Sequence, residues 1–585
     1  MTSDLAEPPL VDPLAGAPLD PELFDRVCAG PAAGPALRAL RDAENALRKQ
    51  LLLAFDSELR RNDRASAVLP DFDAAWELLL RVEDTHPELV DGIVMFPAVG
   101  LWLQRAIKQL GGEFPDRPAD RAGIGVLHAV AAAAAVRAGV DCAIRVPVVR
   151  GVVSLPTVGR FDVAVDDGVD FVRLTASGGR TALDHGGTPL AGGFTEVRRH
   201  RAEVAGLALD VVFDDADPHR AFTEGTSPPD PVDDAEFARW RAQLDEAWSV
   251  LVDWHPGYAE ELAQGLVSLV PLTREGKLVG ASCAAAFGAV ALSEKATADD
   301  LADALVHELQ HSKLNALLEL GPLHEPDEQR RFYAPWRDDP RPLNGVLHGI
   351  YAFASVVEFW HDRRGRVAPE RAAEAEFAFV LRALQVRSAI EDVAATARLT
   401  ARGRLFLAAL SDRLAAREAA LTRADRTGPV ADLVADHRAH WRVAHLAPDA
   451  SDVARLAGAW LADRPAPPDP VRAEVADHGP VGPSDRAAAL KALALRRTDL
   501  PGAADAADAA LLAGDVDGAA ELYLRRVAAD PADDQAWAGL ARTSAEGALR
   551  RTPEVVRALH REVAARTGTA PDPVRLAAWL ADPRR

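Results

Sequence analysis

His307-Glu308-Leu309-Gln310-His311 limits this chain more than any other stretch, because its two histidines act together only if the segment is an α-helix. A helix turns about 100° per residue, so positions i and i+4 lie roughly 40° apart and present two imidazoles to one metal ion. Glu308 points about a quarter turn away, which suits orienting or deprotonating a bound water better than ligation. Leu301, Ala304, Leu305, Leu309, Leu314, Leu317 and Leu318 surround the motif, so the helix is expected to be buried. Two buried imidazoles on one face need a polar partner, and a metal is the economical one. Thr297 is the expected N-cap, Asp299 and Asp300 suit the positive end of the helix, and Gly321-Pro322 stops it after about Leu320.

Two histidines do not complete a site. The next apolar helix, expected over residues 343–362, offers His348, Glu358 and His361. His348 is preferred, since an imidazole among Val346, Leu347, Ile350, Tyr351, Phe353 and Ala354 is hard to explain without a partner. Glu358 stands ten residues on, about 15 Å along the axis, so it and His348 are alternatives on an unbroken helix. Read alone, His-Glu-x-x-His points to a zinc peptidase in which Glu308 deprotonates a zinc-bound water. The extended metzincin pattern is missing, because Leu occupies both 314 and 317 where Gly and His are required. Glu358 as third ligand keeps a peptidase open.

The 585 residues exceed one hydrophobic core, and four regions are expected. Residues 1–140 read as helical, with periodic runs over 21–57, 72–82 and 100–110. Residues 141–233 read as a β-containing insert, with strands at 144–149, 161–165 and 207–212 separated by turn residues. Residues 234–463 read as the metal-binding domain, in which 287–293 is a short strand directly ahead of the motif helix. Residues 464–585, beyond a Pro-rich linker, are Ala-rich and helical, and residues 514–541 resemble a tetratricopeptide helix pair. The expected class is mainly α with a small β-containing insert, a multi-helix metal-binding body and a helical, tetratricopeptide-like C-terminal region.

The net charge of −22 argues against nucleic acid, whose binding needs clustered Lys and Arg. Cys28, Cys142 and Cys283 are too few and too scattered for a disulfide framework or a thiolate metal site. No run approaches the ~20 apolar residues of a membrane span, and residues 126–140 are too short and contain Arg137. The first 25 residues have neither a basic nor an apolar signal region. A cytoplasmic location, with no membrane partner, is expected.

Four blocks together carry a resemblance: Phe287-Gly288-Ala289-Val290-Ala291-Leu292-Ser293; Leu305 to Leu314 around the motif; Tyr333-Ala334-Pro335-Trp336-Arg337-Asp338-Asp339-Pro340-Arg341-Pro342; and Leu347-His348-Gly349-Ile350-Tyr351-Ala352-Phe353 with Phe359-Trp360. Over residues 234–446, and weakly upstream through Asp217-Pro218-His219-Arg220, the chain resembles the HExxH family of α-ketoglutarate-dependent peptide β-hydroxylases. Their domain also occurs fused to radical SAM/SPASM cyclophane-forming peptide maturases. The resemblance implies Fe(II) held by His307, His311 and His348, with O2 and α-ketoglutarate as co-substrates and a ribosomally made precursor peptide as substrate. A radical SAM maturase is the implied partner enzyme. Three histidines depart from the usual two-His, one-carboxylate iron site and make it more cationic, which favours a dianionic co-substrate. Arg337 and Arg341 are candidates for the distal carboxylate, unless Asp338 and Asp339 pair with them as a loop clamp. Glu308 and Tyr351 are the remaining candidates beside the metal, and Ser312 and Lys313 adjoin His311. The leading expectation is peptide β-hydroxylation; a zinc peptidase and a non-catalytic, metal-stabilised interaction scaffold are the alternatives.

Overall fold

A computed structural model describes residues 19–62, 65, 69, 71–112, 122–165, 169–190, 192–222, 225–272, 280–327, 329–424, 427–476, 481–497, 505–545 and 547–581. The chain divides into two compact units, Met1–Pro322 and Leu323–Arg585. The boundary falls between the motif helix and the helix of His348, inside the region 234–463 expected as one domain.

The first unit begins with α1 (Pro21–Cys28), α2 (Pro35–Arg61), α3 (Phe72–Thr85), α4 (Pro87–Val94), α5 (Pro97–Leu110) and α6 (Val126–Ala138). The periodic run expected from residue 21 to 57 is two helices. Gly34, at φ +80°, sets up a fresh start at Pro35, where the missing N–H costs nothing. Proline also opens α1, α4 and α5. Helix α6 is alanine-rich because it is the axis of the core: Ala131 to Ala135 are all fully buried, and α3, α4 and β1 pack closely around it. Among the described residues no single helix is long and apolar enough to cross a membrane.

The strands are β1 (Cys142–Pro147), β2 (Val152–Leu155), β3 (Gly159–Asp162), β4 (Phe171–Ser177), β5 (Arg180–His185), β6 (Thr188–Pro189), β7 (Phe194–Glu196), β8 (Arg198–Val204) and β9 (Leu207–Phe213). One antiparallel sheet has the order β1-β4-β5-β6 and a second the order β2-β3-β7. The β4–β5 hairpin turns through Gly178-Gly179, both at positive φ, which a two-residue type I′ turn requires.

The chain then runs through α7 (Asp234–Trp254), α8 (Pro256–Gly265), β10 (Ser268–Pro271), β11 (Gly280–Ala281), β12 (Ala289–Leu292) and α9 (Ala298–Glu319). Here β8 to β12 form a five-stranded sheet in the order β11-β12-β10-β9-β8. Strand β10 lies parallel to both β9 and β12, while β11 is the antiparallel edge. Burial on both faces explains why Leu269-Val270 and Ala289 to Leu292 are uninterruptedly apolar. The fold is thus mainly helical with small sheets, as expected, but its β part reaches beyond the insert and includes the strand that leads into the motif helix.

The second unit contains α10 (Leu343–Arg363), α11 (Ala372–Thr396), α12 (Ala401–Ala415), α13 (Glu418–Arg423), α14 (Thr427–His445), β13 (Leu446–Pro448), α15 (Ala450–Leu461), β14 (Ala473–Val475), α16 (Ala487–Ala494), α17 (Ala506–Leu512), α18 (Val516–Ala529), α19 (Asp534–Thr543), α20 (Gly547–Arg551), α21 (Pro553–Thr567) and α22 (Pro573–Ala581). Leu456, Tyr523, Trp537, Leu540 and Leu559 share one hydrophobic cluster. Helices α18 and α19 cross closely because Gly539 leaves room for the Tyr523 ring; a Cβ there would lie 2.4 Å from it. Beside this crossing the fully buried Arg486 pairs with Asp436 and, at 3.2 Å, with Asp508.

Candidate metal centre

Helix α9 starts as its sequence dictates: Thr297 Oγ1 accepts the Asp300 N–H at 3.2 Å, with Asp299 and Asp300 in the first turn. Packing against β12 and α7 fixes its position. One turn apart on this helix, His307 and His311 are half-buried, with ring planes at 86° and Nε2 atoms 3.1 Å apart. An ion about 2.1 Å from each nitrogen, at ligand–metal–ligand angles of about 90–109°, needs a separation of about 3.0–3.4 Å. The pair therefore fits two adjacent ligand positions of an octahedral or a tetrahedral ion. Burial pushes His311 down to about 4, so its imidazole is neutral, the form that ligates.

Glu308 turns toward the sheet edge instead. Its carboxylate accepts a hydrogen bond from the Ser282 side chain and lies so close to Gly280 that a Cβ there would come within 2.6 Å of Oε1. Burial raises Glu308 to about 7, against the opposing effects of the Ser282 hydrogen bond and the Lys295 charge. A carboxyl that is part-protonated near neutrality can exchange a proton with a neighbouring water.

The opposite face of α9 holds what the sequence did not disclose. Lys313 and Glu261 of α8 are both fully inaccessible and form an ion pair, Nζ to Oε1, of 2.5 Å. Glu261 also accepts from the Ala32 N–H at 2.7 Å and from Gln310 Nε2 at 2.9 Å. Lys313 donates further to Gly30 O at 3.1 Å and Gln310 Oε1 at 2.9 Å. Charge burial on this scale is tolerable because each charge is met several times over, and the network sets the rotation of the helix carrying the histidines. Lys313 is thus neither beside the histidine pair nor on the surface. Ser312 is buried too.

The other candidate residues belong to the second unit. His348 is half-buried on α10, and beside it Gly349 seats the Trp336 indole, which a Cβ at 349 would meet at 2.0 Å. Trp336 also packs on Phe353, ring centroids 5.0 Å apart. The loop carrying it is closed by paired backbone hydrogen bonds between Phe332 and Arg341 (2.7 and 3.0 Å). Arg337 Nε lies 2.8 Å and Arg341 Nη1 3.0 Å from Asp339, so the loop clamp is the arrangement present. Burial pushes Asp339 up, but hydrogen bonds from both arginines outweigh it and hold the carboxyl below its ordinary value. A dicarboxylate using either arginine competes with Asp339 for it, most directly at Arg337, where Nε and Nη2 both face Asp339.

Tyr351 is fully buried against Phe406, with ring centroids 5.5 Å apart, and is a core residue of its unit. Glu358 receives both Arg413 Nε and Nη2 at 3.0 Å, and Arg417 Nη2 at 3.2 Å, which occupies it as a buried ion-pair partner. His361 Nδ1 lies 2.7 Å from Asp362. In the first unit, Asp217 of Asp217-Pro218-His219-Arg220 accepts from the His219 N–H (2.8 Å) and the Ser154 hydroxyl (2.7 Å), forming a closed turn. The structure thus brings together His307 and His311; among the described residues no group of three or more His, Cys, Asp or Glu is arranged to hold a metal ion. No protein-family model matches the chain, and no curated protein matches it.

Proposed function

We propose that this chain is a non-haem iron(II)- and α-ketoglutarate-dependent oxygenase that hydroxylates the β-carbon of a residue in a ribosomally made peptide. The observation that carries the metal is the convergence of two imidazole nitrogens, 3.1 Å apart, on a helix whose other face is locked by buried charge. His348 is the proposed third ligand, a choice favoured by the pairing of Glu358, the alternative on α10, with Arg413 and Arg417. The choice of iron and of a peptide rests on the four-block sequence resemblance. When bound, iron with α-ketoglutarate and O2 supplies the oxidising power for C–H hydroxylation, with succinate and CO2 as by-products. The protein's own share is placement: His307 and His311 hold the ion, and Glu308, fixed by Ser282, handles a proton on nearby water. Arg337 or Arg341 takes the distal carboxylate of α-ketoglutarate by exchanging its bond to Asp339. The C-terminal helices, read as tetratricopeptide-like, serve to hold the precursor peptide or a radical SAM maturase in the cytoplasm.

A zinc peptidase is the second reading, favoured by the buried Glu308 carboxyl near 7, a value suited to a general base. Protein purified without oxygen, analysed for metal and incubated with α-ketoglutarate, separates the two. Iron content with succinate release supports the oxygenase. Zinc content with amide cleavage that disappears in Glu308→Gln overturns it. His348→Ala is expected to lose metal, and unchanged metal content refutes the third-ligand assignment.

A further inference from the structure

Strand β1 is an edge. It pairs with β4 on one side, and among the described residues no hydrogen bond to the backbone of Cys142–Pro147 comes from outside that sheet. Beyond its free side lies a groove of about 500 Å³ between β1 and helix α3. Residues 74, 77, 78, 81 and 84 recur at helical spacing, so one face of α3 forms its far wall. An unpaired strand edge is a template for another strand, which natural proteins normally block with a bulge, a proline or a covering element. Here Ala143 and Arg145 are exposed and Cys142 is half-buried, although α6 packs on β1, and Leu80 beside the groove is 44% exposed.

The geometry points to a docking groove in which an extended segment of the peptide substrate adds to the sheet as a strand along β1, remote in sequence from the metal pair. This rests on the reading of the chain as peptide-acting. Cys142 to Arg145, the open part of β1, span about 13 Å, room for about four residues of ligand backbone, while Val146 and Pro147 are buried. Leu78, Leu80 and Ile144 give the groove an apolar lining, while Glu77, Asp84 and Asp141 face a single base, Arg81. Asp141 is held in place by the Ser177 hydroxyl at 2.9 Å and the Gly178 N–H at 3.2 Å. Side chains alternate along an added strand, so the fitting segment alternates Val, Ile or Leu with Lys or Arg. Backbone pairing supplies affinity and the acidic rim selects charge.

The probe is a fluorescein-labelled Lys-Val-Lys-Val-Lys-Val peptide, titrated by anisotropy against the full chain and against its His307→Ala variant. Binding is expected equally in both, weakening with salt and roughly tenfold in Glu77→Lys/Asp84→Lys, whose positions are exposed on α3. Amide exchange of Cys142–Pro147 is expected to slow roughly tenfold on binding. No binding up to about 1 mM, binding indifferent to the charge reversal, or protection elsewhere than β1 overturns the groove. Because the readout needs no metal, binding with no succinate release leaves the groove standing and refutes only the oxygenase reading. Succinate release with no binding does the reverse.

Discussion

The ion pair behind the motif helix offers the sharpest test of how the two histidines are held. Lys313→Met deletes an ammonium that meets Glu261, Gly30 O and Gln310 Oε1, and leaves the Glu261 carboxylate fully buried with, among the described residues, the Ala32 N–H and Gln310 as donors. Breaking a buried pair from one side costs about 3–5 kcal/mol, about a fifth or more of the about 5–15 kcal/mol that stabilises a typical domain. Adding Glu261→Gln removes the stranded charge. Its amide oxygen can still accept the Ala32 N–H and its amide nitrogen can donate to Gln310 Oε1, so the double variant is expected to recover about 1–3 kcal/mol. Two units need not unfold together, so urea unfolding is to be followed by hydrogen exchange of α9 amides, which report the first unit. Metal affinity is expected to fall by roughly 10–100-fold in Lys313→Met, as when any support of a ligand is lost. A single variant within about 1 kcal/mol of the parent, or a double variant no better than the single, refutes the idea that paired buried charge orients this helix.

Three further outcomes are expected. Glu44 of α2 is raised to about 7 by burial, with the Arg48 charge opposing and Glu319 adding. A folded value above the unfolded ~4.3 stabilises most at low pH, so the contribution of Glu44 to first-unit stability should fall by about 3 kcal/mol as pH rises from 4 to 8. Glu44→Gln should remove that share of the slope in thermal melts taken across this range, leaving the share of Glu308. Arg486→Met strands Asp436 and Asp508 and should cost the second unit about 3–5 kcal/mol in urea unfolding, whereas a change under about 1 kcal/mol would mean the network is idle. Gly349→Ala drives a methyl into Trp336; an expected loss of about 1–3 kcal/mol and a shifted tryptophan emission would show that this glycine seats the arginine-bearing loop on α10.

What the sequence made legible followed local rules. The capped motif helix, expected to about Leu320, ends at Glu319, and the helix expected over 343–362 spans Leu343–Arg363. Period and punctuation suffice for such long elements. Strands β10 and β11 went unread because four and two residues carry no usable period, and their membership of the sheet is decided by β9 and β12, far away in the chain. In the site, the i, i+4 spacing placed His307 beside His311, since that contact is internal to one helix. Glu261 has no such signature. Its pairing with Lys313 depends on how α8 meets α9, which no spacing within either segment encodes. Asp339 was legible only as an alternative, because a carboxylate between two arginines can clamp the loop or leave them open to a ligand.

The sheet order also dictates when the histidine pair can form. Strand β10 lies parallel to β9 across the whole of α7 and α8, and β12 completes the sheet immediately before α9 begins. Parallel pairing of distant segments is slow, because loop closure precedes any reward from contacts. During synthesis the two histidines emerge after every strand of their own sheet, and their helix has its full packing surface only once β12 has docked beside α7 and α8. The pairing of these two nitrogens is therefore a late event in the folding of the first unit, and a nascent chain halted before Ala289 carries α7 and α8 but neither β12 nor the helix of the two histidines.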